Sequence, residues 1–443
     1  MKLNKLLLAL AASGLASSAF ATNGYFAHGI GVKAKGMGGA SIAIAEDGFA
    51  AAANPANLAQ VKDGYSLGVS AFAPDRGVAG TSTWAGNQTA YSLGGTAGTF
   101  YGGNEAADAF AIPEFAYSKA YNDKIHWGVI VYGNGGMNVD YGRSMYDSSS
   151  GTKTTSNLEQ LFVAPTVSYK LNDRHTVAAS LNLVYQTFKA TGLNWFTAYT
   201  QTCDFNGTTC ASGGTNPGDH GTDDSSGIGV RLGWTGRLSD AVTAGAFYQP
   251  KTDMDKFSAY KDLFAQAGGF DIPETYGVGV AFKASPKTTV ALDVVQINYS
   301  GIKSLANLNN HNPGSGTDTA TDLGTENGKG FGWKDMTVYK LGVAHQMDAH
   351  TMIRAGWNYG RMPIRNTELD FNLLAPAVTE HHLTLGLTRA LDKNSDFSVH
   401  AMYAPKTDIT STDTTAGDGN GTAYMNKLEM SQYEIGVQYS KKF

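Results

Sequence analysis

From about residue 64 to the C terminus, apolar residues recur at every second position, the period of a strand with one apolar and one polar face. Near the end of the chain Tyr433, Ile435, Val437, Tyr439 and Phe443 share one face, broken only by Lys441, while Gln432, Glu434, Gln438 and Ser440 share the other. The same split separates Val177, Ala179, Leu181 and Leu183 from Thr176, Ser180 and Asn182, and Phe397, Val399, Ala401 and Tyr403 from Ser398 and His400. Short polar links interrupt the alternation at Asn122-Asp123, Asn172-Asp173, Ser239-Asp240, Ser285-Pro286, Asp348-Ala349 and Asp392-Lys393-Asn394. Long stretches rich in Gly, Asn, Asp, Ser and Thr lie between them, at roughly 75–110, 134–157, 189–224, 252–271, 300–334, 361–379 and 406–426. Six short links and seven long loops delimit fourteen strands.

An even number of strands of ~10 residues, with short links at one end and long loops at the other, is the layout of a bacterial outer-membrane barrel. The expected fold is all-β: a 14-stranded antiparallel transmembrane β-barrel over residues 64–443, in the outer membrane of a Gram-negative cell. In hydrocarbon only a closed sheet pairs all of its backbone groups, and half of its residues are free to be polar because they face the interior. That accounts for a mean hydropathy of -0.22 in a membrane protein. Tyr65, Trp127, Trp234, Tyr248, Trp357 and Tyr439 sit on the apolar phase near strand ends, where headgroup belts favour amphipathic rings. A secreted soluble β-sandwich or repeat protein is the alternative, and it gives no reason for strictly alternating link lengths. The 33 basic and 38 acidic residues lack the basic surplus that phosphate backbones require, so nucleic acid is not expected as a partner.

Residues 1–21 read as a signal peptide: Lys2 and Lys5, an apolar stretch from Leu6 to Leu15, and an Ala19-Phe20-Ala21 cleavage site. Export places the two cysteines, Cys203 and Cys210, in an oxidising compartment, and the polar turn-forming residues between them predict a loop disulfide. Residues 22–63 lack the period of two. The stretch from Gly29 to Ala40 is too glycine-rich for a stable helix, and Asp47 to Gln60 is small and Ala-rich around Asn54-Pro55-Ala56. Small residues and tight turns suit a compact hatch inside a barrel lumen, where close backbone approach needs glycine. A phosphate loop at Gly36-Met37-Gly38-Gly39 is excluded, because neither a preceding strand nor a G-K-[ST] ending is present.

Gly36-Met37-Gly38-Gly39-Ala40, Asp47 and Asn54-Pro55-Ala56, set between a signal peptide and fourteen strands, resemble the hatch of the FadL-type outer-membrane transporters for long-chain fatty acids and other hydrophobic compounds. The resemblance covers the whole mature chain, terminal Phe443 included. It implies a plugged barrel that takes an apolar ligand from outside and releases it sideways through an opening made by a kink in the third strand. Gly133, Gly135 and Gly136 are the candidates for that kink; the other reading of this stretch is the start of the long loop toward Asn157.

The long loops carry apolar residues out of keeping with solvated segments: Leu193, Trp195 and Phe196, then Phe257, Tyr260, Leu263, Phe264 and Phe270. Met254 to Ala267 suits a short amphipathic helix presenting Phe257, Tyr260 and Phe264 as a capture groove; the alternative is that these residues pack loops together over the barrel mouth. A ligand carboxylate would want a buried cation, from Arg231, Arg237, Arg354, Lys340, Lys33 or Lys35, though each of these has wall carboxylates such as Glu114, Glu159, Asp293 and Glu434 to pair with instead. No catalytic motif is present and the ten histidines are scattered, His381 and His382 facing opposite ways, so no enzyme activity, cofactor or metal is expected. The functional expectation is passive uptake of hydrophobic compounds, long-chain fatty acids first, with alkanes or small aromatic hydrocarbons as the alternative and a non-transport adhesin or structural barrel as the second. Expected partners are the apolar ligand, outer-membrane lipid and the barrel-assembly machinery, whose insertion signal the strand ending in Phe443 resembles.

Overall fold

The computed structural model describes residues 22–83, 90–91, 101–102, 109–142, 144–146, 151–204, 209–210, 215–309, 322–369, 371–413 and 424–443. Residues 1–21, expected as a signal peptide, lie outside these. Fourteen long strands run in chain order around a closed antiparallel barrel. They are β1 Gly64–Thr83, β2 Phe110–Ala120, β3 Ile125–Asp140, β4 Thr155–Lys170, β5 His175–Thr191, β6 Asp223–Arg237 and β7 Val242–Gln249. The second half comprises β8 Thr275–Ser285, β9 Thr288–Ile297, β10 Met336–Gln346, β11 Thr351–Gly360, β12 His381–Ala390, β13 Ser395–Asp413 and β14 Tyr424–Lys442. β1 closes on β14 from Gly64↔Lys442 to Thr81↔Met425, which completes the ring of strands.

The period of two becomes an inverted burial pattern. On β14, Tyr433 and Ile435 are 52% and 64% exposed while Gln432 and Glu434 are buried, so the apolar set faces lipid and the polar set faces the lumen. Leu181, Leu232, Val278, Leu292 and Leu385 continue the outer band on five other strands. Near the chain end Phe443 donates its N–H to Asp63 O, and its ring meets Tyr65 and Tyr117, which in turn contacts Trp127. These rings form an interfacial girdle at the end of the short turns. All six short links fall between strands as expected, whereas β1, β3 and β13 run further into the long segments than the alternation alone marks.

Inside the barrel, residues 22–63 fold into short pieces, among them a single helical turn Val32–Lys35 and a 3-10 segment Pro55–Gln60. Most residues here are buried; Tyr25, Phe26, Ile42, Phe49 and Leu58 belong to the main apolar cluster, and the polar ones meet the polar inner faces of the strands.

Candidate functional site

The glycines of the hatch segment allow backbone to lie directly on the wall. Gly38 and Gly39 adopt φ of +65° and +79°, and a Cβ on Gly38 would stand 2.8 Å from the Trp357 backbone of β11. Gly36 approaches Gly386 of β12 as closely, and Gly38 N–H donates to Thr384 Oγ1 at 2.8 Å. Asn54 explains the tripeptide that follows: its Oδ1 accepts from Ala56 N–H, and its Nδ2 donates to Ile42 O and to Trp234 O of β6, both at 2.9 Å. Pro55 then occupies the first position of the 3-10 segment, where no N–H is needed.

Charges complete the seam. Lys35 is fully buried and lies 2.9 Å from Glu434 on β14 and 3.3 Å from Glu114 on β2. Lys33 meets Asp396 on β13 at 2.9 Å and Asp47 at 3.6 Å. Arg354 on β11 forks onto Glu46, with Nε and Nη2 both donating. Burial alone would raise the Glu46 carboxyl, but the Arg354 guanidinium outweighs it and holds it below the usual carboxylate range. Burial would likewise lower the Lys33 ammonium, yet Asp47 and Asp396 outweigh it and keep it above its ordinary value. Asp293 on β9 accepts from Ser41 and Ile42 N–H at 2.7 and 3.0 Å. Of the cations expected in the lumen, these contacts occupy Lys33, Lys35 and Arg354, while Arg237 stands exposed with a donor near Asp173 O.

Arg231 and Lys340 remain. Both line a cavity of about 90 Å³ between the hatch segment and the wall, and its apolar lining includes Phe26, Ile42, Tyr132, Phe247, Ile297 and Val338. Arg231 Nε donates to Gln249 Oε1 at 3.1 Å, another of its nitrogens to Ala52 O, and its guanidinium lies 4.9 Å above the Phe247 ring. Lys340 Nζ donates to His28 O at 3.0 Å. Neither cation has a carboxylate within salt-bridge distance among the described residues.

The same cavity reaches β3, where Tyr132 and Asn134 line it. The β3–β4 register passes from Gly133↔Leu161 to Gly135↔Gln160, so Asn134 is an extra residue and a bulge forms. The β2–β3 ladder ends at Phe115↔Val131, although β3 continues to Asp140 and β2 reaches back to Phe110. Backbone of the hatch segment takes the vacated partners: Ala27 N–H donates to Asn134 O, and Gly136 N–H to Tyr25 O. A Cβ on Gly135 would collide with Tyr25 O, which is why glycine stands there. The stretch that reads equally as kink or loop start is therefore strand with a bulge.

The loop residues also pack differently from the helix expected over 254–267. A 3-10 turn Ser258–Tyr260 and a short turn Ala265–Gly268 with positive φ at Gln266 and Ala267 break that segment. Phe257, Tyr260, Leu263 and Phe264 all point into one buried cluster rather than forming an exposed groove. Phe188 of β5 meets Tyr260 and Phe264 edge-on at 4.7 Å each, and Phe264 reaches Phe270 at 5.0 Å. From Phe270 the ring contacts pass to Tyr25 of the hatch segment, then to Tyr299 and Trp333. Phe196 joins the cluster's far side against Tyr146 and Phe371; the Trp195 side chain lies outside the described residues. Cys203 and Cys210 stand opposite each other in a two-residue ribbon, which is the backbone register the loop disulfide needs; their side chains are likewise outside the described set.

Residues 8–443 match the outer membrane protein transport protein family (OMPP1/FadL/TodX). The chain belongs to that family. It is an outer-membrane transport barrel for hydrophobic compounds, not an enzyme, and the adhesin alternative falls away with that membership. Among solved structures it is similar to a FadL homologue of Pseudomonas aeruginosa, with 14% identity, 95% of this chain and 100% of the other covered, and a TM-score of 0.67. The P. putida toluene transporter TodX gives 18%, 94%, 99% and 0.64, and the Ralstonia pickettii toluene transporter TbuX 18%, 94%, 99% and 0.62. At these identities the likeness concerns the fold. No curated protein matches the chain.

Proposed function

We propose that this channel takes up apolar molecules bearing one anionic head, with long-chain fatty acids as the substrate class. The observation that carries this is the cavity in which Arg231, without a carboxylate within salt-bridge distance among the described residues, and Lys340, whose cross-strand neighbour is Asp293, stand beside an apolar lining. A neutral hydrocarbon leaves these cations only the amide and carbonyl contacts they already make, whereas a ligand carboxylate adds charge-assisted hydrogen bonds. The ligand reaches the cavity by displacing rings of the aromatic cluster at the mouth. It leaves where β2 and β3 part, once Tyr25 to Ala27 withdraw from the bulge. The drive is partitioning into membrane.

A second reading, uptake of small aromatic hydrocarbons, is favoured by the continuous ring contacts from Phe188 to Trp333 and by the toluene transporters among the similar folds. Uptake of labelled oleate, a medium alkane and toluene, with a polar sugar as control, separates the two in cells lacking and then regaining the protein. Oleate rescue is expected to fall at least tenfold in the Arg231→Gln/Lys340→Gln double variant, with toluene unaffected; selective toluene rescue by the parent protein would sink the fatty-acid reading. Deleting Asn134 removes the extra residue and lets β2 pair with β3, so uptake of every apolar ligand should be lost from a barrel that still folds.

A further inference from the structure

The hatch–wall seam also gathers three histidines around one carboxylate. His28 of the hatch segment, His382 of β12 and His400 of β13 are all buried, at 0%, 0% and 2% exposure. Glu434 of β14 is buried among them. Its Oε1 takes the Lys35 ammonium, and its Oε2 has no hydrogen-bond partner. A neutral imidazole carries one donor and one acceptor, and each one left unmatched inside a protein carries its full desolvation penalty. His28 and His400 thus bring ring nitrogens to a half-used carboxylate.

We propose that His28, His400 and Glu434 form a binding site for a divalent transition-metal ion that ties the hatch segment to the barrel wall. The spacing fits. Tetrahedral Zn–N and Zn–O bonds of about 2.0–2.2 Å put neighbouring donors about 3.3–3.6 Å apart. His400 Nε2 lies 3.4 Å from Glu434 Oε1 without hydrogen-bond alignment, and His28 Nδ1 lies 3.7 Å from Glu434 Oε2. One ligand atom from each residue falls within 4.8 Å of the others, so small side-chain rotations close the third edge. His382 is outside this donor set, its ring stacked on that of His28 with centroids 6.0 Å apart and planes 7° from parallel, and it fixes the His28 orientation.

The donors and charge also select the ion. Two imidazoles and a carboxylate suit zinc and its first-row neighbours, while calcium and magnesium want oxygen alone. Lys35, Glu114 and Glu434 sum to one negative charge, so a divalent ion with neutral imidazoles leaves a single positive charge, in place of an excess anion. The site has mechanical consequence because His28 follows Phe26 and Ala27, the residues that pair with the β3 bulge. An ion held there restrains the segment proposed to withdraw during transport, and this consequence alone rests on the transport reading.

The test is metal content of the full-length, detergent-solubilised protein carrying no histidine tag, stripped with chelator and then dialysed against zinc, with cobalt as a spectroscopic substitute. One ion per chain and the visible absorption of tetrahedral cobalt are expected. His28→Gln, which leaves the strand ladders untouched, and His400→Gln should each weaken binding at least tenfold, and His382→Gln less than about threefold. Heat-modifiable migration on gels confirms that each variant is a folded barrel. A folded parent protein that retains no zinc overturns the proposal. So does unchanged binding in the His28→Gln/His400→Gln double variant, which would mean an adventitious ion only. Failure of the uptake experiments with binding intact would reject the transport reading and leave the site standing.

Discussion

The lumen has two fillings of opposite kind. At the hatch–wall seam Lys33, Lys35, Glu46 and the Asn54 amide meet Asp396, Glu434, Arg354 and the β6 backbone through directed contacts. Toward the long loops Phe188, Phe257, Tyr260, Phe264 and Phe270 meet one another through ring faces and edges. A directed contact between buried charges has one good geometry, and any displacement leaves an uncompensated ion. Ring contacts are individually weak and interchangeable, so an apolar ligand can replace one ring by another surface of the same kind. The seam is thus built to hold and the mouth to rearrange.

The seam is broken most severely at Lys35. Lys35→Ala leaves Glu114 and Glu434 facing each other in a dry site, and loss of one partner from a buried charge cluster costs about 3–5 kcal/mol. The hatch segment should detach while the barrel stays closed through its own ladders. Sugar permeation and single-channel conductance should rise severalfold, with barrel strand content by circular dichroism unchanged. Continued exclusion of sugar by this variant would show that Lys35 does not hold the seam.

How much of this was legible in the sequence follows the same division. The strands were legible because alternation and link length are local, and a lipid-facing band must repeat at every second residue whichever strands become neighbours. The glycines of 36–39 and the Asn54-Pro55-Ala56 turn also stand out locally, since they mark backbone that touches backbone. What they touch is not local. His28, His382 and His400 lie far apart in the chain and gather only because β12 and β13 adjoin and the hatch folds back on them. The helix expected over 254–267 failed for a related reason. Its apolar spacing suits a helix, but Phe188 and Phe270 from other segments offer a better burial for the same rings, so tertiary packing overrode periodicity.

A smaller effect sharpens the comparison through pH. The folded value of Glu46 is depressed, so its contribution is fully present above the unfolded value near 4.5 and lost as pH falls through the folded value. The folded value of Lys33 is raised, so its contribution is present below 10.5 and lost as pH climbs through the folded value. The contribution of these two groups should therefore be flat from about pH 5 to 9. Thermal midpoints of the parent and Glu46→Gln should differ by a constant amount across that range and converge in more acid solution. A gap that changes instead near neutrality would place control of the seam with the histidines.

The mildest perturbation falls at the mouth. Phe264→Leu keeps an apolar side chain of similar size, and such swaps usually cost less than about 1.5 kcal/mol. It nevertheless removes three ring contacts, to Phe188, Phe257 and Phe270, from the ring path that an incoming ligand has to enter. The expected outcome is an unchanged exclusion of sugar together with a few-fold change in the ratio of toluene to oleate uptake, because a flat aromatic ligand loses more from a missing ring than an alkyl chain does. A sugar leak comparable to that of Lys35→Ala would mean that the two fillings act as one plug, and the distinction between a holding seam and a yielding mouth would have to be given up.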